Sequence, residues 1–153
     1  MKKLSLFSLS LLLILSTAAC QDPAKTSQTA PNSTTEAAPT PDAQAVQASK
    51  QDAQSETRRR QLNADIRARE QRNNVTGGDT DRAVGDLKSQ VRSKLEANIP
   101  NGQLTVDATD DGTVTVTGTV INQQQLAKVE PLAKEIKGVN KVVNKVQVAK
   151  PQS

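Results

Sequence analysis

Cys20 is the only thiol in the chain, and the residues before it single it out. It follows Lys2-Lys3, an apolar run from Leu4 to Leu15, and the small residues Ser16-Thr17-Ala18-Ala19. That order reads as a secretory signal over residues 1–19 with a small-residue cleavage site. The apolar run falls short of the roughly 20 residues that a permanent membrane span needs. Three further groups of side chains have the types and spacing for chemistry. Arg58, Arg59 and Arg60, with Arg67, Arg69 and Arg72, outnumber Glu56, Asp65 and Glu70 around them and suit an anionic contact. Lys128, Lys134, Lys137, Lys141 and Lys145 cluster toward the C-terminus and either complement a helix dipole or meet anionic headgroups. Asp107, Asp110 and Asp111 resemble a cation site, but three carboxylates are few for calcium, and acidic residues are favoured in turns for their own sake. They read as a solvated turn.

Composition closes off other chemistry. The sequence has no histidine, and its single aromatic residue, Phe7, lies in the signal. Histidine acid–base catalysis, zinc sites, aromatic cages and base-stacking platforms therefore lack their residues. A lone cysteine offers no intramolecular disulfide. No side chains pair as a nucleophile with its base, so the sequence reads as a binding or structural protein, not an enzyme, with no cofactor and no metal. Nucleic acid is not expected as a partner, because the export signal takes the chain out of its compartment.

The junction at Cys20 resembles the lipobox of bacterial lipoproteins, with Thr17 standing where that pattern most often has leucine. The resemblance implies cleavage before Cys20, a diacylglycerol on its thiol and an acylated N-terminus. It also implies localisation outside the cytoplasm, anchored to a bacterial membrane. Gln21 is not the aspartate that retains enterobacterial lipoproteins in the inner membrane, so the outer membrane is favoured where there is one. Two or more buried acyl chains make such anchoring stable, at about 0.8 kcal/mol per CH₂.

Residues 20–78 are dominated by Ala, Gln, Thr, Ser, Pro, Asn and charges, with Leu62, Ile66 and a few valines as the larger apolar side chains. Pro23, Pro31, Pro39 and Pro41 punctuate the first part. This composition predicts a disordered tether containing an Arg-rich segment at 54–72. As flexible coil it would reach about 45 Å. The arginine cluster has two readings: an anionic contact, or a solvated, weakly helical segment in which Leu62 and Ile66 lie one turn apart. Asn73-Asn74 and Gly77-Gly78 mark the boundary to a domain at 79–150.

In that domain Thr80-Asp81 offers a helix start, and Val84, Leu87, Val91, Leu95 and Ile99 repeat on one helical face until Pro100-Asn101-Gly102. Leu104, Val106 and Ala108 alternate as a strand, Asp110-Asp111-Gly112 makes a hairpin turn, and Val114, Val116, Gly118 and Val120 alternate back. A second helix opens at Asn122, capped with Gln125, carries Leu126, Val129, Ala133 and Ile136 on one face, and ends at Gly138. Pro131 should kink or split it. Val142, Asn144, Val146 and Val148 form a last strand, in which Asn144 is expected to bond backbone at a sheet edge. The class is α+β: an αββαβ unit with two helices on one face of a three-stranded mixed sheet.

Asp111-Gly112-Thr113-Val114-Thr115-Val116-Thr117-Gly118 and Lys137-Gly138-Val139-Asn140-Lys141-Val142-Val143-Asn144, with the helix Val84 to Leu95, resemble the BON domain of bacterial envelope proteins. The match runs from about Asp81 to Ala149, and Pro131 departs from the commonest pattern. The resemblance implies contact with phospholipid membranes and a role in envelope integrity or osmotic stress, and the positive charge of the chain favours anionic ones. The candidate contacts with an anionic surface are Arg58, Arg59, Arg60, Arg67, Arg69, Lys134, Lys137 and Lys141. The alternative is a structural adaptor that docks another envelope protein, with lipid serving only through the anchor.

Overall fold

The computed structural model of the chain describes residues 22–76 and 83–152. The signal, Cys20, Gly77-Gly78 and the expected helix start at Thr80-Asp81 lie outside the described residues. Among those described, four helices and a four-stranded mixed sheet make an α+β fold. The elements are β1 (Ala24–Lys25), α1 (Ala43–Gln54), α2 (Glu56–Thr76), α3 (Val84–Asn98), β2 (Gln103–Ala108), β3 (Thr113–Val120), α4 (Gln123–Lys134) and β4 (Lys141–Val148).

The αββαβ unit runs from α3 to β4. β2 and β3 pair antiparallel across the Thr109–Gly112 turn, and β4 returns parallel to β3 after the α4 crossover. The strand alternation puts Leu104, Val106, Val114, Val116 and Val120 on one face, where α3 lays down Leu87, Val91 and Leu95 and α4 lays down Val129 and Ala133. Burying these aliphatic side chains supplies the driving force, about 1.5–3 kcal/mol each.

Local chemistry explains the joints. Asn122 caps α4 by accepting from the Gln125 amide at 2.9 Å, while the Gln125 side chain reaches back to the Ile121 amide at 3.2 Å. Pro131 neither splits α4 nor ends it: one helix continues to Lys134. The proline sits in the last turn, where its missing amide removes a single bond. The helix stops short of Gly138, and residues 135–138 form a turn in which Gly138 has φ 91°.

The expectation of a disordered tether across 20–78 does not describe residues 22–76. β1 pairs antiparallel with β2 and adds a fourth strand to the expected three. The segment that follows crosses the threonine face of the sheet. There Thr105 Oγ1 donates to the Pro31 carbonyl at 2.5 Å, and the Ser27 and Thr29 hydroxyls both bond Gln103 Oε1. Gln103, Thr105, Thr117 and Thr119 are buried as a result. Asp42 then caps α1, accepting from the Gln44 and Ala45 amides, and pairs with Gln152 beyond β4. α2 runs back antiparallel along α3. Composition misjudged this segment because its apolar content is low and it need not form a core of its own. It uses small residues, Ala30, Val46 and Ala53, and the one large Leu62 to cover a core that already exists.

Candidate functional site

α2 docks on α3 through one helical stripe: Arg58, Leu62, Asp65, Arg69 and Asn73, spaced three or four apart. Leu62 is 1% exposed and is the apolar pin of the seam. The rest is ionic. Arg58 forks onto Glu96, Nε to Oε1 at 2.6 Å and Nη2 to Oε2 at 3.0 Å. Arg92 bonds the same carboxylate at 2.9 Å from within α3. Asp65 accepts from Ser93 Oγ at 3.0 Å and from Arg69 Nε at 2.8 Å. Asp86 receives Arg69 at 2.5 Å and Arg72 at 3.0 Å. α3 is thus two-sided, with an apolar stripe against the sheet and a polar stripe against α2.

These pairings fix charge states. The hydrogen bonds that Arg58 donates to Glu96 raise its pKa against the opposing effect of burial. At Asp86, burial pushes the carboxyl up, but the bonds from Arg72 and Arg69 together outweigh it and hold the pKa below the usual carboxylate range.

The structure therefore divides the expected anionic contacts. Arg58 and Arg69 are only 31% and 25% exposed and are committed to carboxylates of α3, so they belong to the seam and not to an open basic surface. The cause is tertiary: Glu96 and Asp86 reach them from another helix. Arg59, Arg60 and Arg67 stay on the solvent side of α2, Arg60 beside Glu56 at 3.2 Å in an exposed pair of little energetic weight. Lys134, Lys137 and Lys141 are exposed around the end of α4 and the start of β4, Lys134 within 2.7 Å of Glu130.

A lock between two turns positions that lysine group. Asn140 donates from Nδ2 to the Asp111 carbonyl at 2.7 Å and from its amide to the Gly112 carbonyl at 2.9 Å. A Cβ on Gly112, whose φ is 76°, would come within 2.4 Å of the Gly138 carbonyl. Gly112, Gly138 and Asn140 hold the hairpin tip against the α4–β4 turn, which sets Lys137 and Lys141 beside it.

The aspartates have their own work here. Asp111 accepts from Thr109 Oγ1 at 2.5 Å and from the Thr113 amide and hydroxyl at 3.0 Å each, which lowers its pKa. Asp107 accepts from the Ala108 amide at 2.9 Å. Among the described residues no group of three or more His, Cys, Asp or Glu side chains is placed to hold a metal ion. On β4, Asn144 Oδ1 accepts from the Val146 amide at 3.0 Å, the edge-strand bond its sequence position suggested.

Sequence reasoning missed the ionic partners on α3, although the Leu62–Ile66 spacing was the available signal. It also missed where the chain comes in. The Asp22 carbonyl, two positions after Cys20, accepts from Lys88 Nζ at 2.6 Å.

Residues 83–150 match the family described as the BON domain, so the αββαβ unit is a BON domain. BON domains are known in general to bind phospholipids. No curated protein and no solved structure matches the chain.

Proposed function

We propose that this is a lipid-anchored protein of the bacterial envelope that holds its BON domain against a phospholipid surface and carries out no catalysis. The observation that carries the reading is the BON domain at 83–150, on a chain whose Cys20 stands where an acylated first residue would. The anchor would supply residence on the membrane, outside the cytoplasm and, on the Gln21 argument, at the outer membrane. The domain would supply a weak headgroup contact with a preference for anionic lipid. Each lysine or arginine near an anionic surface contributes about 1 kcal/mol. With no Trp or Tyr to enter the interface, such a contact matters through the high local concentration that the anchor provides. A role in envelope integrity or osmotic stress belongs to the same proposal.

The test is flotation of the Cys20→Ser protein with vesicles of phosphatidylglycerol and phosphatidylethanolamine, against vesicles of phosphatidylcholine alone. Binding to the first set at low salt, declining as salt rises, is the expected result. No binding at low salt would remove direct lipid contact. The adaptor reading would then lead, and one feature favours it: β4 is an eight-residue strand at the open edge of the sheet. Such an edge can take a strand from another envelope protein.

A further inference from the structure

We infer that the domain meets the membrane end-on, through the end of the sheet carrying the β2–β3 hairpin tip, with Arg58, Arg59 and Arg60 at the far end. This rests on the proposed acylation of Cys20. Two residues span at most about 7 Å whatever their conformation, so an acylated Cys20 holds Asp22 close to the headgroups. Asp22 is fixed in turn by its bond to Lys88 and by the β1–β2 pairing that begins at Ala24. The anchor therefore acts on the folded body almost directly, and the 45 Å reach of a free tether is replaced by a defined orientation.

The elements reaching that end follow from the pairings. Lys88 lies 4.0 Å from Asp107, which levels the start of α3 with the close of β2, and the Thr109–Gly112 tip extends beyond. Lys141 opens β4 beside that tip, its amide bonded to the Gly112 carbonyl at 3.3 Å. α2 arrives there as well: Arg72 bonds Asp86 near the start of α3, and Val75, one turn further, is 85% exposed. The end-on surface thus combines an exposed valine with Lys137 and Lys141. Asp110 and Asp111 sit on the same tip, so the end is not uniformly basic and the anchor, not net charge, sets the orientation.

Arg58 pairs with Glu96 in the last turns of α3, at the opposite end. From Arg60 to Val75 the helix rises about 22 Å, more than twice the screening length of about 8 Å at physiological salt. At that distance Arg58, Arg59 and Arg60 do not sense the headgroups around the Cys20 anchor.

The experiment uses the full chain, processed in a bacterial envelope, with a photoreactive benzophenone side chain placed singly at Val75, Lys141, Arg60 or Gln124. All four are exposed positions, and Gln124 opens α4 at the far end. Intact mass first reports whether Cys20 carries acyl chains. With acylation present, phospholipid adducts at Val75 and Lys141 several-fold above those at Arg60 and Gln124 are expected. Equal adducts at all four, or more at Arg60, would overturn the orientation and leave the anchor standing. Absence of acyl chains would overturn the anchor itself and the orientation with it. Hydrogen exchange on the unsubstituted acylated protein gives a second reading. Added vesicles should protect amides at 137–141, and protection at 58–61 instead would again overturn the inference.

Discussion

Arg58 and Glu96 face each other across the α2–α3 seam in a forked pair, with bonds of 2.6 Å and 3.0 Å, and the Glu96 side chain is only 3% exposed. The pair ties a segment that looks like linker to the outer face of the BON domain. Arg58→Ala should destabilise the protein by about 1–2 kcal/mol, since a buried carboxylate loses one of its two cations and keeps Arg92. Urea melts of Arg58→Ala, Glu96→Ala and the double variant measure the coupling. Additive effects would mean that the pair does not hold α2 in place.

Acid should loosen the same seam at its other end. Asp86 has a lower pKa in the folded protein than a free aspartate, because Arg72 and Arg69 outweigh the effect of burial. Such a group adds stability above the unfolded pKa, about 3.9, and that contribution is lost as pH falls through the folded value. Asp86→Asn should cost about 1 kcal/mol at neutral pH and flatten the decline in stability below about pH 4. Denaturation midpoints across that range, with an unchanged slope in the variant, would contradict it.

Gly118 admits no side chain. Its φ is 125°, and a Cβ there would lie 1.9 Å from the Gln103 carbonyl oxygen on the neighbouring strand. Gly118→Ala should destabilise by about 3 kcal/mol or more, combining backbone strain with a forced displacement of β2. A thermal melt close to that of the unsubstituted protein would rule out this close approach.

Val116 lies in the centre of β3 with no exposed surface. Val116→Asp puts a carboxylate into an aliphatic core without a partner and should abolish the cooperative melt. A retained transition would mean that the residue faces out of the core.

The arm at 22–76 should behave as part of the folded body. Slow amide exchange is expected around Leu62 and at Thr105, whose hydroxyl is covered by Pro31. Deleting the arm should expose Gln103, Thr105, Thr117 and Thr119 and lower the stability of the remainder. Fast exchange throughout α2 in the intact protein would restore the picture of a free tether.

The αββαβ order, the hairpin at Asp110–Gly112, the Asn122 cap and the aliphatic faces of both hairpin strands were legible along the chain, because each depends on neighbours within a few positions. Period-two and period-3.6 patterns report burial wherever an element supplies its own apolar face. α1 and α2 do not. Their stability comes from contacts distant in sequence: Arg58 with Glu96, Arg69 with Asp86, and Pro31 over Thr105. Single-chain patterning carries no signal for an ion pair between helices, so the arginines read only as an anionic contact or a solvated, weakly helical segment. Cys20 was marked by its local setting. That the chain is part of the folded body from Asp22 onward was not legible, because only the bond from Lys88 to the Asp22 carbonyl and the pairing of Ala24 with Val106 make it so. The sequence by itself determined which segments of the BON domain could form a core, because their apolar periodicity is local. Tertiary structure decided how the residues from Asp22 to Thr76 join that core and which arginines are taken up by its carboxylates, because those partners lie far apart along the chain.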